Sequence, residues 1–349
     1  MLISLLIAIL LLAVVSLFSE RLPKAFHHYL LWAIVLFFTV VCIVRPTSYD
    51  SDFRIYEKYF FGFDDTKYQL IVEPVFLWIC KTVYYAGGTI HTVIIIFAVL
   101  SVPLKLYSIH KMTEETVFIL AVIIYASNYF MLHDCEQIRL AVGMAFCMYA
   151  LLMKMNGHYV WMVSLWLIAI SFHHTTAAYA IPFLAPKDMG RYWKIAIGGL
   201  VPIAILLWLL HINPITVLPI PYIETKMKLY EMAISQGQHP DVRTINLMVL
   251  VRIALFYYIF YFYETIKEHL PSLSLLMLCN ALSLSAWFAL TDMSVIAVRI
   301  SQLFGFVEVI LFASIYYTIK PAWMGKSVVF LIALYFYFQN YIYNQFGFR

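Results

Sequence analysis

The sequence predicts an all-α, polytopic integral membrane protein of about twelve transmembrane helices. It also predicts a helix lying on the outer surface and two large extracytoplasmic loops. Three observations support this. Only 12% of the 349 residues are charged and 64% are hydrophobic, against ~25% charged in a soluble domain. The mean hydropathy is +0.86. Apolar stretches recur along the whole chain at near the ~20 residues that a helix needs to cross a bilayer. This composition excludes a soluble enzyme and a disordered chain. The net charge of +4 is small and the basic residues are scattered, so no nucleic-acid partner is expected. Cys42, Cys80, Cys135, Cys147 and Cys279 lack metal-type spacing and read as single buried thiols.

Met1–Phe18 has no basic leading region and no small-residue cleavage site, so it reads as the first span, not as a signal peptide. Spans are predicted at 2–18, 28–44, 90–106, 116–132, 138–154, 159–172, 175–186, 194–210, 246–264, 272–290, 299–317 and 326–344. They form one transmembrane domain, 1–349. Two segments are too polar to span, 45–89 and 211–245. Within the first, Glu73–Gly88 is short, is interrupted by Lys81 and ends in Gly87-Gly88, so it reads as interfacial. Within the second, Pro219-Ile220-Pro221 precedes an amphipathic stretch, Tyr222–Ile234, a candidate lid.

With that choice the short inner loops hold Lys105, Lys111, Lys154, Lys187, Lys267, Lys320 and Lys326 among their cations. This obeys the positive-inside rule and puts both termini outside. Nine of the eleven inner cations are Lys, whereas seven of the nine arginines fall outside. Arg offers the planar, bidentate geometry that phosphate and carboxylate groups need. The outer face therefore reads as a site and the inner face as an anchor.

Five polar clusters lie on the outer side. The first is Arg45-Pro46 followed by Asp50, Asp52 and Tyr56, where either acid could merely cap a helix at Phe53–Phe61. The second is Glu73-Pro74. The third runs from His133 through Glu136 to Arg139. Glu136 and Arg139 are spaced to share one helix face, and Gly143 continues it with room for a ligand. The fourth is His173-His174-Thr175-Thr176 at a helix break. Backbone of that kind persists at membrane depth only when it is buried or lines a cavity. The fifth is Asp292 with Arg299. Glu308, deeper along the same span, reads as part of a structural network. Arg243 and Arg252 would complete a basic ring.

Arginines at the outer leaflet suit the polyanionic head group of a lipid, and the acids and histidines beside them suit proton transfer. A lipid-linked diphosphate would supply both the anion and the leaving group. No metal or cofactor is required. No nucleotide-binding or metalloprotease motif is present.

At these residues the sequence resembles the EpsG/Wzy-type polysaccharide polymerases. The resemblance rests on Arg45, Asp50-x-Asp52 and Tyr56, then Glu73-Pro74-x-Phe76, Ile138-Arg139-Leu140-Ala141 and Phe172-His173-His174-Thr175. Leu140 stands where the family pattern has Gln. The resemblance implies a GT-C-like membrane glycosyltransferase of the bacterial cytoplasmic (inner) membrane, with its active site facing outward. It would join undecaprenyl-diphosphate-linked oligosaccharides into an O-antigen, capsule or exopolysaccharide, alongside a flippase and a chain-length regulator of the same pathway. Arg45 and Arg139 would grip the diphosphate, and Asp52, Glu73 or His173 would be the base. Glu136 is carried as a further acid. His133, His174, Arg243, Arg252 and Arg299 are carried as substrate contacts. Arg139→Ala is expected to abolish polymer, and Lys154→Ala to do little. A flippase of lipid-linked glycan or an acyltransferase of surface sugars are the other readings.

Overall fold

The computed structural model describes residues 1–46, 52–187, 189–214 and 244–343, and every regular element among them is helical. Helices α1 (Leu2–Phe18) and α2 (Lys24–Ile43) lead to the short α3 (Phe53–Phe61), α4 (Thr66–Ile71) and α5 (Pro74–Tyr85). Pro74 occupies the first position of α5, where its missing N–H has no partner to lose. The 12 residues of α5 reach ~18 Å, well short of a ~30 Å hydrocarbon core, which agrees with a non-spanning helix. Gly87, at φ +76°, turns the chain. A reciprocal Thr89–Thr92 capping box then opens α6 (Ile90–Met112).

Helix α7 (Glu115–Asn128) runs into a π-helical turn, Met131–Glu136, and then into α8 (Ile138–Met155) and α9 (Tyr159–Phe172). A 3-10 turn, His174–Tyr179, continues into α10 (Ala180–Leu184), followed by α11 (Arg191–Leu209). After the second long loop come α12 (Leu247–Tyr261), α13 (Tyr263–His269), α14 (Leu273–Ala289), α15 (Ser294–Gly305), α16 (Glu308–Ala313) and α17 (Ala322–Tyr337).

Six helical segments among the described residues are long and apolar enough to cross a membrane: Leu2–Arg21, Lys24–Ile43, Ile90–Met112, Ile138–Met155, Arg191–Leu209 and Ala322–Tyr343. Two bent pairs, α12 with α13 at 78° and the segments of α15 and α16 at 46°, raise the figure to eight. The shorter apolar helices α7, α9 and α14 fall below that length. The chain is a multi-pass membrane protein, and among the described residues six to eight segments, against the twelve expected, have the length and apolar character of a full span. The predicted span 175–186 is the 3-10 turn and the five-residue α10.

Three lysines counted as inner-loop anchors are buried instead. Lys105 is fully buried and pairs with Asp134 at 2.9 Å. Lys326 is buried and pairs with Glu20 at 2.8 Å. Lys154 donates to the carbonyls of Pro182 (2.9 Å), Phe183 (2.8 Å) and Ala185, holding the end of α10. Lys154 is thus a structural residue, and its removal would not be silent.

The main core runs through α7, α14 and α16, whose residues are buried nearly throughout. A second apolar cluster gathers Tyr56 and Phe60 of α3, Phe76 of α5, Phe97 of α6, Ile138 and Val142 of α8, and Phe172 of α9. It forms the floor on which Arg139 and Glu73 stand.

Candidate active site

One narrow polar cleft collects Asp52, Tyr56, Arg139, His173 and Arg299, with Gln137 and Leu140 completing its wall. Arg139 is the second residue of α8. Its guanidinium pairs with the Glu73 carboxylate and lies over the rings of Phe76 (5.4 Å), Tyr59 (5.6 Å) and Tyr56 (5.8 Å). Such cation–π contacts contribute ~0.5–2 kcal/mol each when desolvated. The aromatic cage comes from α3 and α5, so the short helices of the first loop serve to hold one arginine.

Glu73 sits at the N-cap position of α5 but makes no capping bond. Its carboxylate turns to Arg139 and accepts from the backbone N–H of His174 at 3.4 Å. Three segments distant in sequence are thereby tied at one point. Burial alone would raise the Glu73 carboxyl. The opposing pull of Arg139 leaves it below the usual glutamate value.

Asp52 stands at the N-cap position of α3, yet its side chain makes no capping bond either. The simple capping reading of this residue is therefore set aside, because the carboxyl lines the cleft. Burial raises its pKa, and the more distant charges of Arg299 and Arg139 offset this only in part. The two acids of the site are thus pushed in opposite directions, Glu73 held more firmly as an anion and Asp52 made the more basic of the two.

His173 ends α9 with extended backbone, φ −157° and ψ 117°. Its Nδ1 accepts from the Thr175 N–H at 3.4 Å and bonds the Thr175 hydroxyl at 2.7 Å. An Nδ1 that accepts puts the proton of the neutral ring on Nε2. His173 therefore enters the cleft as a hydrogen-bond donor. Close packing fixes its position. A Cβ on Gly143 of α8 would lie 2.8 Å from Thr176 Cγ2 and 3.5 Å from His173 Cβ. The space expected beside Gly143 is filled by this turn, not by a ligand.

Other predicted residues stand elsewhere. Arg45 is buried and donates to the Cys42 carbonyl at 2.9 Å. His133 is fully buried with its ring against Tyr129 and Phe306. Arg252 lies 3.6 Å from Glu308 and donates to Asn128 at 3.0 Å, in a buried network that Tyr129 joins. Glu136 closes the π-helical turn, which breaks the helix between it and Arg139, so the two do not share a face. The side chain of His174 is exposed, and only its backbone reaches Glu73. Asp50, Arg243 and the proposed lid Tyr222–Ile234 lie outside the described residues. No group of three or more His, Cys, Asp or Glu among the described residues could hold a metal ion.

Gln137, Tyr59, Phe76 and Thr175 have site roles that sequence reasoning did not assign. Phe76 and Thr175 carried a signal as members of the ordered motifs, and Gln137 by lying two residues before Arg139 inside a cluster already singled out; Tyr59 carried none.

No curated protein and no solved structure gives a significant match. The EpsG family model matches residues 28–348, a span that includes every residue of the cleft. The chain therefore belongs to the EpsG family of membrane polysaccharide polymerases.

Proposed function

We infer that the protein polymerises undecaprenyl-diphosphate-linked oligosaccharide repeat units into a surface polysaccharide on the extracytoplasmic side. One observation carries this reading: Arg139, Arg299 and a donor imidazole meet an acid of raised pKa in a single cleft. The N-terminus of α8, with its partial positive charge, opens at the same place.

Asp52 takes the proton from the acceptor hydroxyl. The hydroxyl oxygen attacks the anomeric carbon of the donor sugar, and the bond from that carbon to the diphosphate oxygen breaks. The diphosphate leaves with the electron pair. Arg139, Arg299 and the His173 Nε2–H stabilise its charge, as fixed donors do at other reacting anions. Glu73 neither accepts nor gives a proton; it fixes the direction of Arg139.

The test is a gel of surface glycan from a deletion strain complemented with wild type or with Asp52→Asn, which keeps the side chain's shape. Wild type should restore a long ladder. Asp52→Asn should leave a single repeat unit, with normal protein in the membrane. A full ladder from Asp52→Asn would remove Asp52 as the base. Loss of even the single unit on deletion would move the protein to an earlier, transport step.

A further inference from the structure

Among the described residues, Gln137 carries the one buried side-chain acceptor of the cleft lining that has no hydrogen-bond partner. Two polar atoms of the cleft-lining side chains are buried without a hydrogen-bond partner among the described residues, the Arg139 Nε and the Gln137 Oε1. The first is a donor beside an anion site and needs no further account. The second is an acceptor. A buried carbonyl oxygen left unpaired is costly, and an acceptor repels a diphosphate. It calls for a ligand that brings a neutral donor.

The backbone around Gln137 is fixed. Its N–H donates to the Leu132 carbonyl at 3.0 Å, and its carbonyl accepts from Ala141 N–H at 2.9 Å. Its φ of −87° and ψ of 56° belong neither to the π-helical turn before it nor to α8 after it. The residue is thus clamped at both ends at the junction, with its side chain in the wall that also carries Asp52.

We propose that Gln137 recognises the acceptor sugar, its Oε1 accepting a hydrogen bond from a hydroxyl or amide N–H beside the attacking hydroxyl. This rests on the polymerase reading above and adds a determinant of acceptor choice to it. The attacking hydroxyl gives its proton to Asp52, so a second donor on the same sugar is what remains for Gln137. A sugar lacking that donor would leave Oε1 unpaired, and one presenting an acceptor there would set two oxygens against each other, so both would be rejected.

The test uses the full-length protein in lipid nanodiscs with lipid-diphosphate-linked repeat unit extracted from a polymerase-deletion strain. Wild type is compared with Gln137→Met, which keeps length and removes the acceptor. The expected result is a fall in kcat/KM of about two- to tenfold, the scale of one lost hydrogen bond. Thermal stability should be unchanged or raised, because no partner is lost inside the protein. Unchanged kcat/KM in the variant overturns the inference. So does a marked loss of stability or of folded protein, which would mean that Oε1 already has a structural partner. If wild type itself makes no polymer in this assay, the polymerase reading fails, and that outcome is separate from the variant's.

Discussion

Two buried ion pairs of this molecule use the same chemistry to opposite ends. Lys105 and Asp134 are both fully buried. The Asp134 carboxylate receives two bonds of 2.9 Å from Lys105, one of 2.7 Å from Tyr125 and one from Ser101. Its backbone carbonyl accepts from Cys42 at 2.9 Å. Every strong acceptor is used internally, and the pair has nothing left for a ligand. Arg139 and Glu73 are also paired, but Arg139 keeps 15% of its side chain exposed. Arg139 faces a cleft shared with Asp52, His173 and an exposed Arg299, with Glu73 paired to it outside the lining. Saturated charge holds helices together, and charge left partly open is free to meet a ligand. Residue type alone does not separate the two cases.

The comparison is broken most severely at the sealed pair. Asp134→Ala strands Lys105 without its counter-charge, at a cost of ~3–5 kcal/mol, against a total stability of ~5–15 kcal/mol. Folded protein should nearly vanish from the membrane fraction. The double variant Asp134→Leu with Lys105→Met should bring it back, since an apolar replacement of both partners is often neutral. Glu73→Gln, at the open pair, should leave the amount of protein near normal while polymer falls at least tenfold.

A smaller effect is expected behind the cleft. Gly143→Ala places a methyl against Thr176 Cγ2 and should push the His173 turn out of place. Overpacking of this kind costs ~1–3 kcal/mol, so the protein should persist with polymer synthesis reduced several-fold. Adding Thr176→Ser, which removes the opposing methyl, should restore synthesis. If the second change does not help, His173 is not positioned by this contact.

The smallest effect is a separation of two pH thresholds. Asp52 must be ionised to act as base, and its pKa is raised. Activity should therefore fall with acidification above the ordinary aspartate value of ~3.9. Glu73 behaves oppositely. Its lowered pKa means that its ion pair contributes stability above the unfolded glutamate value of ~4.3 and loses it as pH falls through the folded value. Turnover should thus fail at higher pH than thermal stability in detergent. Coincident thresholds would contradict the opposite shifts of the two acids.

Much of the helical order was legible in the sequence, because long apolar runs such as 2–18, 90–106 and 138–154 have few alternatives in an oily chain. The broken elements were not. Hydropathy averages over a window, so it cannot see the 78° bend between α12 and α13 or the 3-10 turn after His173. Lys105 and Lys154 were misplaced for a related reason. A lone lysine in an apolar run looks like a loop marker until its partners appear, and those partners lie 28–31 residues away. Within the site, Asp52, Tyr56, Glu73, Arg139 and His173 could be found as an ordered set. Arg45, His133 and Arg252 share their chemistry but point into protein. Tyr59 is an ordinary core residue in sequence and Phe76 stood out only as a motif position, and it is the fold that makes them a cage.

The π-helical turn Met131–Glu136 has a consequence for how this chain tolerates insertion and deletion. The Gln137 N–H reaches back five residues to Leu132, so the turn holds one residue more than an α-helix would. Asp134 inside the turn faces the sealed pair, and Arg139 just beyond it faces the cleft. The extra residue therefore sets the rotational phase of the 18 residues of α8. Removing it would turn that helix by ~100° about its axis. Deleting Met131 or Leu132 would keep the hydropathy and every reactive group, yet Arg139 would no longer point at Glu73. In this fold a single-residue deletion at 131–136 is a more complete loss of the cleft than any one substitution within it.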